Sequence, residues 1–248
     1  MKAILLVAGY ATRLYPLTET RPKALLEVAG RPILNYILKE INTIDAIDEV
    51  IVISNDKFYS QFLEWSTTVK SKKPIKVLND GSTSEENRLG AIGDIQFAIE
   101  QENIDDEMMI IAGDTLFTFK LEDYYKFYSD LNKDCAVAKT VWDIEQLKQF
   151  AVALLDKNGK IIELNEKPSE PNSDVAIFAT YIYTKETVPL FKQYLDEGNK
   201  TDAPGYFVQW LYTKKDVYAY KMNGECYDVG NAESYEEVQE IFRNLKIF

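Results

Sequence analysis

Small and basic residues directly follow the first apolar segment of the chain, in an arrangement that suits the binding of an anion. Residues 8–14 read AGYATRL, and Lys23 follows after a short interval. Gly9 and its small neighbours allow backbone amides to approach a bound anion, and Arg13 and Lys23 could add positive charge. The segment has the glycine spacing of neither a P-loop nor a dinucleotide-binding fingerprint. From spacing alone, an anion-binding loop and a tight turn with solvated basic side chains are equally good interpretations.

The composition excludes several kinds of catalytic and metal site. The 248-residue chain contains no histidine and only two cysteines, Cys135 and Cys226. A Ser-His-Asp or Cys-His nucleophile is therefore excluded, and so is a zinc site built from histidines or four thiolates. Any metal ion must be held by oxygen ligands, which favours Mg²⁺, Mn²⁺ or Ca²⁺.

The charge balance and the apolar pattern indicate the class of protein. Acidic residues outnumber basic ones by 40 to 28, so the formal net charge is −12. Because nucleic acids and anionic membranes are bound by basic surfaces, we expect neither as a partner. No apolar segment approaches the roughly 20 residues that span a bilayer, and the N-terminus lacks the pattern of a secretory signal. These features predict a cytoplasmic protein and leave a homo-oligomer open.

Short apolar segments alternate with amphipathic ones in the first half, as is typical of a parallel sheet covered by helices on both faces. Ligands bind at the carboxyl ends of the strands in such sheets, where residues 8–14 and Asp114 would lie. The second half is richer in strands, and 156–160 has the pattern of a hairpin turn. The predicted strands are 3–7, 50–54, 75–78, 108–112, 136–141, 152–155, 160–164, 175–183 and 217–221. The predicted helices are 33–44, 58–65, 121–131, 187–197, 203–212 and 235–245.

Four motifs, in a fixed order, resemble the signature of the sugar nucleotidylyltransferases, a group of pyrophosphorylases. They are residues 8–23, Gly113-Asp114, Glu166-Lys167-Pro168, and Asp228-Val229-Gly230 with Glu233-Ser234-Tyr235. An ordered set that extends over nearly the whole chain is more specific than any one of its motifs. The resemblance implies a Rossmann-like three-layer α/β/α fold with a mixed, mostly parallel central sheet and added β-rich sugar-binding elements in the second half. It also implies one nucleotidyltransferase domain over residues 1–248, with an NTP-binding half at about 1–115 and an acceptor-binding half at 116–248.

The same resemblance implies a reaction. A nucleoside monophosphate would pass from an NTP to a sugar 1-phosphate, with Mg²⁺ as cofactor and pyrophosphate as the second product. A phosphate monoester has a second pKa of about 6, so the attacking oxygen is already ionised at neutral pH. The absence of histidine is therefore compatible with this chemistry. The reaction instead requires alignment of the reactants and neutralisation of crowded phosphates.

The matching positions imply roles for individual residues. Arg13, Lys23 and Asp114 would be catalytic, and Asp114 and Asp228 would hold Mg²⁺. The implied nucleotide-binding residues are Ala8, Gly9, Tyr10, Ala11, Thr12, Arg13, Asn79 and Gly90. The implied acceptor-binding residues are Lys23, Ala151, Glu166, Lys167 and Tyr181. Without the resemblance, a cap is the better interpretation of each aspartate and an exposed turn that of Glu166 and Lys167. Asn79 could equally be a turn residue.

Departures from the family pattern leave the substrates open. Ala11, Ala151 and Ala179 stand where many members of the family have glycine. Each methyl group removes space beside backbone that a ligand approaches, so the acceptor could be smaller than a hexose phosphate or differently posed. A cytidylyltransferase that uses a non-sugar phosphate such as phosphocholine is one alternative. A metal-dependent glycosyltransferase and a catalytically inactive nucleotide-binding regulator are two others.

Overall fold

The computed structural model describes residues 1–245, in which strands and helices alternate through the first half of the chain. The strands are β1 (Lys2–Leu6), β2 (Glu27–Val28), β3 (Arg31–Pro32), β4 (Glu49–Ser54), β5 (Ile75–Asn79), β6 (Met108–Ala112), β7 (Thr115–Phe117), β8 (Asp134–Thr140), β9 (Ala151–Leu155), β10 (Ile161–Glu166), β11 (Val175–Tyr183), β12 (Val217–Lys221) and β13 (Cys226–Asp228). The α-helices are α1 (Ile33–Ile41), α2 (Tyr59–Thr68), α3 (Ala91–Glu102), α4 (Leu121–Leu131), α5 (Ile144–Leu147), α6 (Val188–Asp196), α7 (Pro204–Leu211) and α8 (Ala232–Leu245).

A mixed sheet forms the middle layer. Strands β5, β4, β1 and β6 lie side by side and are parallel, and β11 lies antiparallel on the far side of β6. The long strand β11 then pairs with both β8 and β9, while β12 extends the sheet beside β8 and β10 beside β9. The predicted parallel centre and the strand-rich second half are both confirmed.

Helices cover both faces of this sheet because its strands are apolar on both sides. Val50 and Val52 of β4 face the core that contains α1, α2 and α4. Ile51 and Ile53 of the same strand face the core that contains α3, α6 and α7. The alternation of a strand therefore places successive residues in opposite cores, which gives the three α/β/α layers that the resemblance implied.

A third, smaller core lies beside the carboxyl end of β6. It joins the start of α1, strand β7 and the last helix, α8, through residues such as Tyr36, Leu116, Val229 and Phe242. The rings of Tyr36 and Phe242 meet edge to face with centroids 5.2 Å apart. This core fixes the position of the segment after β13, which carries one of the four motifs.

The structure differs from the predicted elements mainly at α3 and at the β7–β13 pair. Sequence analysis assigns no element to 91–102, where Gly90 and Gly93 weaken the helical pattern at its start. Gly90 lies just before α3 with a φ of 79°, in the left-handed region. By contrast, the turn at 156–160 joins β9 to β10 as predicted, with Gly159 at a φ of 83°. None of the helices within residues 1–245 is both long and apolar enough to cross a membrane.

Candidate active site

The loop after β1 is fixed by contacts with the neighbouring strand ends. Buried Asn55, just after β4, donates its Nδ2 hydrogen bond to the carbonyl oxygen of Ala8 at 2.8 Å. The hydroxyl of Tyr10 donates to the carbonyl oxygen of Ser82 at 2.9 Å, and Thr18 Oγ1 donates to that of Ala11 at 2.7 Å. The predicted strand-end position of this loop is thus produced by the parallel order of β1 and β4.

Ala11 occupies a backbone conformation that explains why glycine is usual in the family signature at this position. Its φ is 48° and its ψ is 43°, in the left-handed region. A side chain with a Cβ atom is disfavoured there by about 1–2 kcal/mol, because Cβ approaches the following carbonyl oxygen. The loop therefore has the glycine-type geometry although the residue is alanine.

A cavity of about 200 Å³ opens where this loop meets the ends of β6 and β13. It is lined by six of the residues that the resemblance implied, Gly9, Ala11, Arg13, Lys23, Asp114 and Asp228. The guanidinium of Arg13 is exposed, and none of the residues in the range 1–245 forms a hydrogen bond or ion pair with it. Arg13 can thus contact an anion without first losing a protein partner.

Strand pairing brings the two aspartates together although they are far apart in the chain. Asp114 follows β6 and precedes β7, and the antiparallel register of β7 and β13 places Asp228 opposite Thr115. Gly113 has no room for a side chain, since a Cβ there would lie 2.3 Å from Val7 Cγ1. The loop is therefore tight, and it holds Asp114 against the end of the sheet.

Lys23 bridges these two aspartates. Its Nζ donates hydrogen bonds to Asp114 Oδ2 at 2.9 Å and to Asp228 Oδ1 at 3.0 Å. Burial acts to lower the pKa of Lys23, but the two carboxylates outweigh that effect and raise it above its ordinary value. Burial likewise acts to raise the pKa of Asp114, and the Lys23 ammonium holds it below its ordinary value instead. Lys23 and Asp114 are therefore both charged at neutral pH.

The site fits a divalent cation bound partly by its substrate. Two carboxylates already converge on one positive group, and carboxylate oxygens are the ligands that Mg²⁺ prefers in proteins. Among residues 1–245 there is no cluster of three or more histidine, cysteine, aspartate or glutamate side chains that could hold a metal ion. Asp114 and Asp228 would thus supply two ligands, and water and phosphate oxygens would complete an octahedral set.

A second cavity of about 210 Å³ adjoins the first, since Asp228 lines both. Four predicted acceptor-binding residues, Ala151, Glu166, Lys167 and Tyr181, lie in its wall. Burial raises the pKa of Glu166, and the positive charge of Lys167 partly offsets the rise. Burial and the charge of Glu166 also raise the pKa of the Tyr181 phenol, which is therefore neutral. Lys23, the fifth predicted acceptor residue, lies in the first cavity.

Several predicted residues do not line either cavity. Ala8 and Tyr10 are buried, and exposed Thr12 donates a hydrogen bond from Oγ1 to Glu85 Oε1 at 3.4 Å. Asn79 is engaged at both ends, since its Nδ2 donates to Asp56 Oδ1 at 2.7 Å and its Oδ1 accepts from the Gly81 N–H at 2.9 Å.

Gly90 also lies away from the cavities and packs against Thr201, whose Oγ1 would be 2.6 Å from a Cβ there. Within the described range, Asn79 and Gly90 therefore have the structural contacts of a turn residue and a closely packed glycine.

The second cavity is also lined by residues that none of the sequence motifs indicated. Phe150 and Phe178 contribute two rings with centroids 4.9 Å apart, and the start of α7 contributes residues 203–205. The predicted helix 203–212 carries no site residue among those the resemblance implied, yet its first residues line the second cavity. The Pro204-Gly205 pair at its first turn was the available signal, because glycine is unfavourable inside a helix.

Comparison with known proteins places this site in a family. The family model described as "Nucleotidyl transferase" matches residues 2–244, nearly the whole chain. The chain belongs to the nucleotidyl transferase family. Among curated members, it is 30% identical over 235 residues to the bifunctional protein GlmU of Methanocaldococcus jannaschii, covering 93% of this chain and 51% of GlmU. It is 27% identical over 254 residues to glucose-1-phosphate thymidylyltransferase of Streptomyces griseus, covering 97% of this chain and 66% of that enzyme.

The fold of this family member is shared with solved structures. A crystal structure of UDP-glucose pyrophosphorylase complexed with UDP-glucose superposes with a TM-score of 0.82, at 18% identity and 98% coverage of both chains. At that identity the likeness concerns the fold alone, and it confirms the predicted α/β class. The chain spans about half the length of the GlmU relative, so the activity of that whole protein does not transfer to it directly.

Proposed function

We propose that this nucleotidyl transferase catalyses the Mg²⁺-dependent transfer of a nucleoside monophosphate from an NTP to a sugar 1-phosphate, with release of pyrophosphate. The observation that carries the proposal is the convergence of Asp114, Asp228 and Lys23 in a cavity that Arg13 also lines. One wall residue, Asp228, is shared with a second cavity of suitable size for the acceptor. Two adjoining cavities with cations and acids at their junction support a transfer between two phosphorylated substrates.

The first cavity supplies the groups that a triphosphate requires. The Arg13 guanidinium and the backbone amides near Gly9 would bind phosphate oxygens, and a guanidinium can contact two of them at once. Lys23 would contact the phosphates from the aspartate side. A divalent cation held by Asp114 and Asp228 would neutralise charge that develops as the transferred phosphorus changes partners. We propose that residues up to about 115 form the NTP-binding half.

The second cavity supplies the groups that orient the acceptor. Lys167 would bind the acceptor phosphate, and Glu166 would accept hydrogen bonds from sugar hydroxyls. In the transfer, an acceptor phosphate oxygen forms a bond to the α-phosphorus of the NTP, and the bond from that phosphorus to the β-bridging oxygen breaks. Pyrophosphate leaves with the electron pair, so no general base is needed. Alignment of the two phosphates is then the main contribution of the chain.

One observation supports a second acceptor class. Phe150, Phe178 and Glu166 line the same cavity, and two aromatic rings beside a carboxylate also suit a quaternary ammonium group. Phosphocholine carries such a group on a phosphate monoester. It is therefore the alternative acceptor that the experiment must include.

The test follows pyrophosphate release while the purified protein is incubated with Mg²⁺ and each pairing of a nucleotide with an acceptor. The nucleotides are ATP, CTP, GTP, UTP and dTTP, and the acceptors are a panel of sugar 1-phosphates together with phosphocholine. We expect one pairing to give pyrophosphate and a product whose mass equals acceptor plus nucleoside monophosphate. Asp228→Asn, which keeps the side-chain size and removes one charge, is the matched control and should be nearly inactive. Folded protein that releases no pyrophosphate with any pairing would refute the proposal.

A further inference from the structure

The carboxylate of Glu166 packs against the first turn of α7. A Cβ atom on Gly205 would lie 1.7 Å from Glu166 Oε2 and 2.9 Å from its Cδ. Real Cβ atoms do not approach other atoms so closely, so the carboxylate uses space that only a glycine leaves. Ala151 Cβ, across the same cavity wall, would lie 3.1 Å from that Cβ. Glu166 Oε2 and Ala151 Cβ are thus both close to the position that a side chain on Gly205 would occupy.

The next turn of α7 holds the backbone of the same residue. Gln209 Oε1 accepts a hydrogen bond from the N–H of Glu166 at 2.9 Å. Gly205 and Gln209 are four positions apart and therefore lie on the same face of the helix. One helix face thus contacts Glu166 at both its side chain and its backbone.

Neither residue is required by α7 itself. The backbone of Gly205 is not in the left-handed region, so any residue could adopt its conformation. Alanine also favours helices over glycine, so a glycine at this position lowers the intrinsic stability of the helix. The contact with Glu166 is the feature that accounts for glycine here.

We propose that Gly205 and Gln209 are positioning residues that set the direction of the Glu166 carboxylate in the second cavity and so determine acceptor binding. They act through Glu166 and not through the reacting phosphates. The inference rests on the proposed function, because it takes the second cavity to be the acceptor site. It extends that function to a helix that none of the four motifs includes.

The first experiment measures kcat and both KM values for Gly205→Ala. The added methyl group displaces the Glu166 carboxylate, so we expect KM for the acceptor to rise at least about tenfold, the effect of one lost hydrogen bond to a charged group. KM for the NTP should stay within about twofold, because Gly205 does not line the first cavity. Equal rises in both KM values, or no rise in either, would overturn the proposal.

A conservative second variant separates displacement of Glu166 from direct obstruction of the acceptor by the new methyl group. Glu166→Asp shortens the side chain and withdraws its oxygens from the methyl position. We expect Gly205→Ala to cause no further rise in the acceptor KM when Asp occupies position 166. A full tenfold additional rise in that background would mean that the methyl group blocks the acceptor itself, and would refute the positioning role.

Gln209→Met tests the second contact, with Gln193→Met as its matched control. Met has nearly the size of Gln but cannot accept the hydrogen bond from Glu166, so the acceptor KM should rise while the NTP KM does not. Gln193 lies on α6, and among residues 1–245 its side chain hydrogen-bonds only to exposed Glu197, so its substitution should change neither value. If both methionine variants behave alike, Gln209 is not a positioning residue.

Unfolding measurements test the Gly205 contact whether or not the proposed function holds. The change in the urea-unfolding midpoint on Gly205→Ala should be less favourable in the wild-type background than in a Glu166→Ala background, because the methyl group must displace the Glu166 carboxylate only in the first. Ala151 Cβ is close to the new methyl group in both backgrounds, so its effect and that of helix propensity cancel in this comparison. An equal change of the midpoint in both backgrounds would refute the contact. If wild-type protein turns over no substrate pair but the two changes in unfolding midpoint differ, the proposed function fails while the contact between Glu166 and Gly205 stands.

Discussion

The buried carboxyl group of Asp94 should make the stability of the protein depend on pH. It lies in the first turn of α3, is 5% exposed, and none of the residues up to 245 forms a hydrogen bond with its Oδ1. Burial raises the pKa of Asp94 to about 8, and Asp80 adds to the rise by its charge and by a hydrogen bond. The positive charge of Arg88 partly offsets these effects on the pKa of Asp94. At neutral pH the folded protein therefore holds a proton on Asp94.

The consequence is a loss of stability toward alkaline pH. An unfolded aspartate has a pKa near 3.9, so between about pH 4 and pH 8 the folded state binds a proton that the unfolded state has released. The contribution to stability is complete below about pH 4 and is lost as the pH rises through 8. Because one pKa unit corresponds to about 1.4 kcal/mol, we expect about 4 kcal/mol of this loss between pH 5 and pH 8. That is a large part of the stability of a typical domain, about 5–15 kcal/mol.

Urea unfolding followed by tryptophan fluorescence at pH 5, 6, 7 and 8 measures this contribution. Asp94→Asn keeps the side-chain size and cannot ionise, so its free energy of unfolding should gain about 4 kcal/mol relative to wild type over that range. Carboxyl groups that do not interact with Asp94 titrate equally in both proteins and cancel in the difference. Asp130→Asn, at an exposed position of α4, is the control and should follow the wild-type curve. A constant difference between Asp94→Asn and wild type at all four pH values would refute the reasoning.

Three residues of the first cavity and its loop give further expectations. Asp114→Asn should lower kcat/KM at least about tenfold while the fold persists, and unaltered turnover at limiting Mg²⁺ would reject a metal-binding role. Arg13→Lys should lower kcat by a similar factor, since an ammonium group cannot bridge two phosphate oxygens; steady-state kinetics would measure it. Lys23→Met should strengthen Mn²⁺ binding by the nucleotide-free protein, measured by electron paramagnetic resonance, because both aspartates lose their competing cation. An unchanged or weaker affinity would contradict that interpretation of Lys23.

The sequence by itself determined the layers of the fold and the general place of the site. Apolar segments such as 108–112 are buried on both faces, and that pattern already requires helices on either side of the sheet. Since ligands collect at the carboxyl ends of parallel strands, the loop with Gly9 and Arg13 and the residue Asp114 were predictable as neighbours. These inferences succeed because they depend on periodicity and on residues close in sequence.

Only the tertiary structure decided which side chains meet. The register of β7 and β13 brings Asp228 beside Asp114, and the ion pairs with Lys23 join positions separated by 91 and 205 residues. The close packing of Glu166 against Gly205 is likewise a contact between a strand end and a distant helix. Helix α3 forms despite its glycines because tertiary packing outweighs local helix propensity. Such contacts depend on steric fit and charge between segments distant in sequence, which local sequence patterns do not record.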